Sequence, residues 1–262
     1  MRRGALLAVA ATLVLAAPAR GQSTITMSGS VVTRALVADL AYFYRHDVPD
    51  PPLFSLAGGV SATGIADAAT GIVGAGMVAR ALVPQDPPGL VFTPIARSGL
   101  CLVTNRANPV PGITRAQVQD IVAGRVTAWS QVPGSVRRDA LVAVGRDVTT
   151  ASAQVFLAAF VDLTTPSLYR PVTVPTDLAL RDYVAQTPAA FGYVDLSLTG
   201  PLHVVAFDGV GCTRATVRAG TYPASRPLGV VTRGRPRGAL ARFLRWVRTS
   251  RTARRVISSR YV

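Results

Sequence analysis

Ser23-Thr24-Ile25-Thr26-Met27-Ser28-Gly29-Ser30-Val31 is the stretch from which the fold can be read. Ser23–Met27 is β-rich and short. Small and hydroxyl residues follow it. From Val31 to Arg45, Val32, Leu36, Leu40 and Phe43 recur at helical spacing. Pro49, Pro51 and Pro52 end that helix. The unit is therefore strand, small-residue turn, helix.

Working outward, the same texture recurs. Leu53–Leu56 predicts a strand, followed by the turn Ala57-Gly58-Gly59-Val60-Ser61 and a short helix over Ile65–Ala69. Gly71–Met77, Leu90–Ile95 and Gly99–Thr104 read as further strands. Asn105–Gly112 is a loop rich in Pro and Asn. Thr114 caps a helix over Arg115–Val122, and Gly124 stops it. Leu141–Gly145 is a strand, Thr149–Phe160 and Thr176–Tyr183 are helices, and Ala190–Val194 is a strand that leads to a turn at Gly200-Pro201. Leu202–Phe207 and Leu228–Thr232 are strands, and Gly238–Val247 and Ala253–Ser258 are helices. Alternating strands and helices predict an α/β fold with a mostly parallel sheet covered on both faces. Ligands on such sheets bind beyond the carboxyl ends of the strands, where helices begin.

The chain has 262 residues. Residues 1–21 have the shape of a secretory signal peptide. Arg2 and Arg3 form the basic start, Ala5–Ala17 is apolar but too short to span a bilayer, and Ala17-Pro18-Ala19 offers small residues for cleavage. The expected product is periplasmic or secreted. The remainder suffices for one large domain or two small lobes. Every basic side chain of the Lys/Arg class is Arg and every acidic one is Asp. The formal net charge is +15. No acidic residue follows Asp208, while thirteen Arg lie between Arg214 and Arg260. A solvated helix face, attraction of anionic solutes or surfaces, and nucleic-acid binding all fit that run. Export and the lack of clustered aromatics argue against nucleic acid. Cys101 and Cys212 either pair as one disulfide or stay as buried thiols. His46 and His203 are too few and too isolated for a metal site, and no cofactor is expected. No Ser-His-Asp, Cys-His or paired-carboxylate pattern is visible, which argues against an enzyme.

Three segments place hydroxyl or small residues between a strand and a helix: Met27–Val31, Gly58–Ser61 and Gly145–Ser152. A helix start offers unpaired N–H groups and partial positive charge. Hydroxyls and Arg146 beside it would complete a site for a tetrahedral anion. Ordinary Ser/Thr capping is the better account of any one segment alone; three in one chain, one of them with Arg, bring the anion-site reading level with it.

Several stretches resemble the phosphate-binding proteins of ABC importers, within the type II periplasmic-binding-protein superfamily. They are Ile25–Ser30, Gly58–Ser61, Val103–Asn105, Asn108–Val110, Gly124–Val132, Val144–Arg146, Gly192–Val194 and Gly220–Leu228. The segments around Trp129 and Tyr222-Pro223 are the most specific. The resemblance implies two α/β lobes joined by two crossovers, with 22–103 plus 196–262 in lobe 1 and 104–195 in lobe 2, closing on the ligand like a hinge. It also implies a ligand set: the hydroxyl of Ser30, the N–H of Val31, the hydroxyl of Ser61, the guanidinium of Arg146, and Thr150, Ala151 and Ser152. Two departures stand out. Gly74 falls where the family carries an Asp that accepts a hydrogen bond from protonated phosphate, and Ala153 falls where relatives often carry Arg. Asp147 is a candidate replacement acceptor, with a cap or partner role as its other reading. The expectation is a monomeric solute-binding protein that captures phosphate and hands it to a membrane permease. Sulfate or another tetrahedral oxyanion on the same fold is the alternative, as is a sensing or interaction module with a degenerate cleft.

Overall fold

A computed structural model of the chain describes residues 22–161 and 171–262. The leader reading, on residues 1–21, lies outside the described residues. Strand β1 (Thr24–Ser30) runs directly into helix α1 (Val31–Asp47), and β2 (Leu53–Gly59) leads through Val60 into α2 (Ser61–Thr70). Strand β3 (Ala75–Val78) precedes the long β4 (Leu90–Thr104). Next come β5 (Gly112–Ile113), α3 (Arg115–Val122), β6 (Val142–Gly145) and α4 (Ala151–Phe156), which widens into a π-type turn over Leu157–Val161. Then follow β7 (Val172–Thr173), α5 (Asp177–Gln186), β8 (Ala190–Asp195), β9 (His203–Val204), β10 (Ala206–Phe207) and α6 (Arg214–Ala219). The chain closes with β11 (Ser225–Arg233), α7 (Gly238–Thr249) and α8 (Arg251–Arg260).

One sheet runs β2-β1-β3-β11-β4-β8-β6-β7, with β9 also on β4. Its outer strands are parallel: β1 with β2 and β3, and β6 with β8 and β7. Its middle is antiparallel, because β11 pairs with β3 and β4, and β4 with β8. The α/β expectation holds, and the sheet is mixed at its centre. Two expected strands over 90–104 are in fact one, continuous through Arg97-Ser98-Gly99. The predicted strand over Leu202–Phe207 is instead two short pairings, β9 and β10.

Two hydrophobic cores flank that centre. Met27, Leu36, Leu40, Phe243 and Val247 belong to the first; Leu102, Trp129, Phe156, Tyr193 and Tyr222 belong to the second. Strand β4 gives Ala96 to the first and Leu100 to the second. Strand β11 gives Leu228 to the first, whereas Ala224, just before it, packs in the second. The chain therefore passes between cores where Arg97–Gly99 faces Ser225–Pro227. From the sequence, the chain is expected to return to lobe 1 at 196. The side chains of Leu202, Phe207, Cys212 and Val217 pack instead in the second core. The Cys101–Cys212 disulfide holds that late segment against β4.

Candidate anion-binding site

The site forms where three helix starts converge. On the first core, Ser30 ends β1 and caps α1, its Oγ accepting from the Thr33 N–H at 3.5 Å. Val31 is the first residue of α1, so its N–H has no acceptor within the helix. Ser61 opens α2 and is buried. Its Oγ accepts the Ala79 N–H at 3.1 Å, which leaves its own hydroxyl proton free to point elsewhere. Close backbone packing sets the position of α2. A Cβ on Gly76 would lie 2.0 Å from the Gly64 carbonyl oxygen, and one on Gly29, at φ +123°, would lie 2.3 Å from that of Met77.

On the second core, Arg146 follows β6 and is 6% exposed. Its N–H donates to the Tyr193 hydroxyl at 2.9 Å. Tyr193 stacks on Phe156 with centroids 4.4 Å apart, and burial pushes its phenol well above the ordinary range, so it stays neutral. One arm of Arg146 reaches the Val174 carbonyl at 3.4 Å, while its buried Nε makes no hydrogen bond. The Asp177 carboxylate lies 3.8 Å from that Nε.

Ser30, Val31, Ser61, Arg146, Thr150, Ala151 and Ser152 all line one cavity, together with Gly59, Val60, Ala79 and Asp177. The cavity is small and mostly polar, of a size for a compact solute rather than a sugar or peptide.

The seven are not equivalent. Thr150 is the cap of α4, and both its N–H and its hydroxyl donate to the Asp147 carbonyl, at 2.9 and 2.7 Å. It shapes the cavity with no donor left over. The Ser152 hydroxyl donates its proton to the Asp177 carboxylate, at 2.9 and 3.1 Å from its two oxygens. What α4 offers an anion is therefore the N–H groups of its first turn, at Ala151 and Ser152.

Asp177 was not singled out in the sequence. It follows the cap Thr176 in the first turn of α5, where an acid is favoured by the helix dipole alone. Only the fold turns it towards Arg146. Gly74, by contrast, lies away from the cavity. It precedes β3, its N–H donates to Thr26 Oγ1 at 3.0 Å, and it lines a surface depression with Ser23, Thr26 and Arg233. The residue that follows β3 and lines the cavity is Ala79. Gly74 therefore puts no group at the site, and neither β3 nor Ala79 after it supplies a carboxylate to the cavity. Asp147 does not line the cavity either. Its carboxylate accepts from the hydroxyl and N–H of Thr149, and the Thr149 hydroxyl chiefly holds it below the usual carboxylate range. Ala153 is buried against the second core. Among the described residues the cavity carries one cation, Arg146, and one carboxylate, Asp177, and the helix starts add positive potential.

A model of the PBP superfamily domain matches residues 15–251. The chain belongs to that superfamily. It is 24% identical over 244 residues to the phosphate-binding protein PstS of Bacillus subtilis, covering 91% of this chain and 80% of that one. Among solved structures, a putative phosphate ABC transporter substrate-binding protein with bound phosphate from Clostridium perfringens superposes with a TM-score of 0.82 at 22% identity, covering 91% of this chain and 98% of that one. An ABC-type phosphate transport receptor from Vibrio cholerae gives 0.70 at 23% identity, covering 91% and 99%. Such structural likeness establishes the two-core PBP fold. Among the described residues no helix is long and apolar enough to cross a membrane.

Proposed function

We propose that this chain is an extracytoplasmic solute-binding protein that captures phosphate between its two lobes and delivers it to the permease of an ABC importer. It acts as a monomer, after removal of residues 1–21. The observation that carries the reading is the buried Arg146 Nε, which has the Asp177 carboxylate 3.8 Å away but makes no hydrogen bond, beside a small cavity bounded by three helix starts. A buried guanidinium nitrogen without an acceptor is costly, and a bound oxyanion would supply that acceptor. The relatives named for phosphate supply the second support.

Asp177 favours phosphate within the class of tetrahedral anions. A carboxylate has about four acceptor positions, and the one Ser152 proton fills one of them. Arg146 Nε at 3.8 Å is too far for a hydrogen bond. An anion carrying an O–H can satisfy a remaining lone pair, whereas sulfate at neutral pH has no proton to give and meets only like charge. Sulfate is the competing reading, favoured by the absence of a carboxylate at Ala79. No bond is broken in either reading; the chemistry is capture and closure. Thermal unfolding of the mature chain with each anion tests the assignment. Phosphate should raise Tm in the wild type, and Arg146→Ala should lose most of that rise. Equal shifts in both proteins would remove Arg146 from the site. A larger shift with sulfate than with phosphate would favour the second reading.

A further inference from the structure

The stretch Gly220–Leu228 was singled out in the sequence, yet the capture of an anion leaves it without a role. Arg226 lies in it, on β11 opposite Ser98, where both strands leave one core for the other. Its side chain is 2% exposed and makes two contacts that the planar fork of a guanidinium can hold at once. One nitrogen donates to Asp195 Oδ2 at 2.9 Å and the other to Ser152 Oγ at 3.1 Å. Asp195 is fully buried and also accepts from the Ser98 hydroxyl at 2.8 Å. Ser152 in turn donates to Asp177, which lies beside Arg146.

We infer that Arg226 is a positioning residue of the anion site, fixing the start of α4 through the Ser152 hydroxyl and tying it to the two crossover strands. The inference rests on the phosphate reading above. Its physical basis is the direction of one proton. With an Arg226 N–H on its lone-pair side, the Ser152 hydroxyl directs its proton to Asp177. Asp177 is then held beside Arg146, and the Ser152 N–H stays at the cavity wall. Stability alone is a poor reason for the arrangement, because a buried ion pair is often matched or surpassed by apolar side chains of similar volume. Arg226 sits where both strands pass between the two cores, so any rotation of one core against the other would alter its reach to Ser152 and couple such a movement to anion capture.

The test is a thermodynamic cycle on the mature chain, with inorganic phosphate as the titrant in calorimetry and thermal unfolding as a check on folding. Arg226→Met should raise the phosphate Kd about tenfold or more. In a Ser152→Ala background the same change should alter Kd by no more than about twofold, because the contact through which it acts is already gone. Arg226→Lys keeps the charge but not the fork, so it should keep the Asp195 pair and fail to restore affinity. A folded Arg226→Met protein with Kd within about twofold of the wild type would overturn the inference. So would independent, multiplying effects of the two substitutions, or full rescue by Lys. If the Met variant does not fold, Arg226→Lys with and without Ser152→Ala carries the same cycle. A wild type that binds no phosphate overturns the underlying reading and this inference with it. Phosphate binding with independent variants overturns this inference alone.

Discussion

Two hydroxyls of the 150–152 segment have their protons committed inside the protein, and this reorders the site at the scale of single residues. Thr150 donates to the Asp147 carbonyl and Ser152 to Asp177, whereas Ser61 accepts from Ala79 and keeps its proton. Thr150→Val should therefore cost about 1 kcal/mol of stability through the lost cap, read as a lower urea midpoint, with phosphate affinity nearly unchanged. Asp177→Asn should act on selectivity. It turns a charged acceptor into a neutral amide that can also donate, so the ratio of phosphate to sulfate affinity should fall about tenfold or more. An equal loss for both anions would mean that Asp177 only steadies Arg146. All seven residues expected at the site line one cavity, and each sits at a strand-to-helix junction that the chain itself marks. Asp177 was not legible, since an acid after a Thr cap reads as ordinary helix chemistry and its distance from Arg146 is tertiary. Gly71–Met77 reads as a strand from its apolar, Gly-rich pattern, whereas β3 begins at Ala75 and runs on to Val78, so that Ala79 and not Gly74 lies at the cavity.

At the scale of elements, the placement of Ser61 depends on α2 touching β1 and β3 backbone to backbone. Gly64 and Gly76 make that contact possible, and any side chain on Gly76 would overlap the Gly64 carbonyl. Gly76→Ala should destabilise the protein by about 1–3 kcal/mol, measured by denaturant unfolding, and should weaken phosphate binding by moving Ser61. Unchanged stability would show that α2 can shift freely. Capped helices were the most legible elements: Thr114, Thr150 and Thr176 each bond their own first turn. Helix α6 escaped notice because it spans only Arg214–Ala219, although Thr213 and Gly220 bracket it as cap and stop. The sequence divides strand β4 at Ala96-Arg97-Ser98 because small and polar residues imitate a turn. There the partner strand β11 imposes extension, and propensity gives way to pairing.

At the scale of the whole molecule, the α/β class and the two-lobed plan were legible, but the return point between lobes was not. Nothing local in 196–224 says which core its apolar side chains will join; β4 and the disulfide decide it. The loop closed by Cys101–Cys212 spans 111 residues. Replacing both with Ser should lower stability by about 2–5 kcal/mol, seen as a lower Tm, while leaving phosphate affinity in the folded protein close to the wild-type value. A large affinity loss would mean that the disulfide also sets the lobe geometry around the cavity. The buried chain from Asp195 through Arg226, Ser152 and Asp177 to Arg146 spans the region where the cores meet, so the anion site and the crossover strands are one construction. The most direct measurement of the central claim is a calorimetric titration of inorganic phosphate into the mature wild-type chain at neutral pH, repeated with sulfate. One phosphate per chain should bind saturably, and much more tightly than sulfate. No saturable phosphate binding, or sulfate bound as tightly, would contradict that claim.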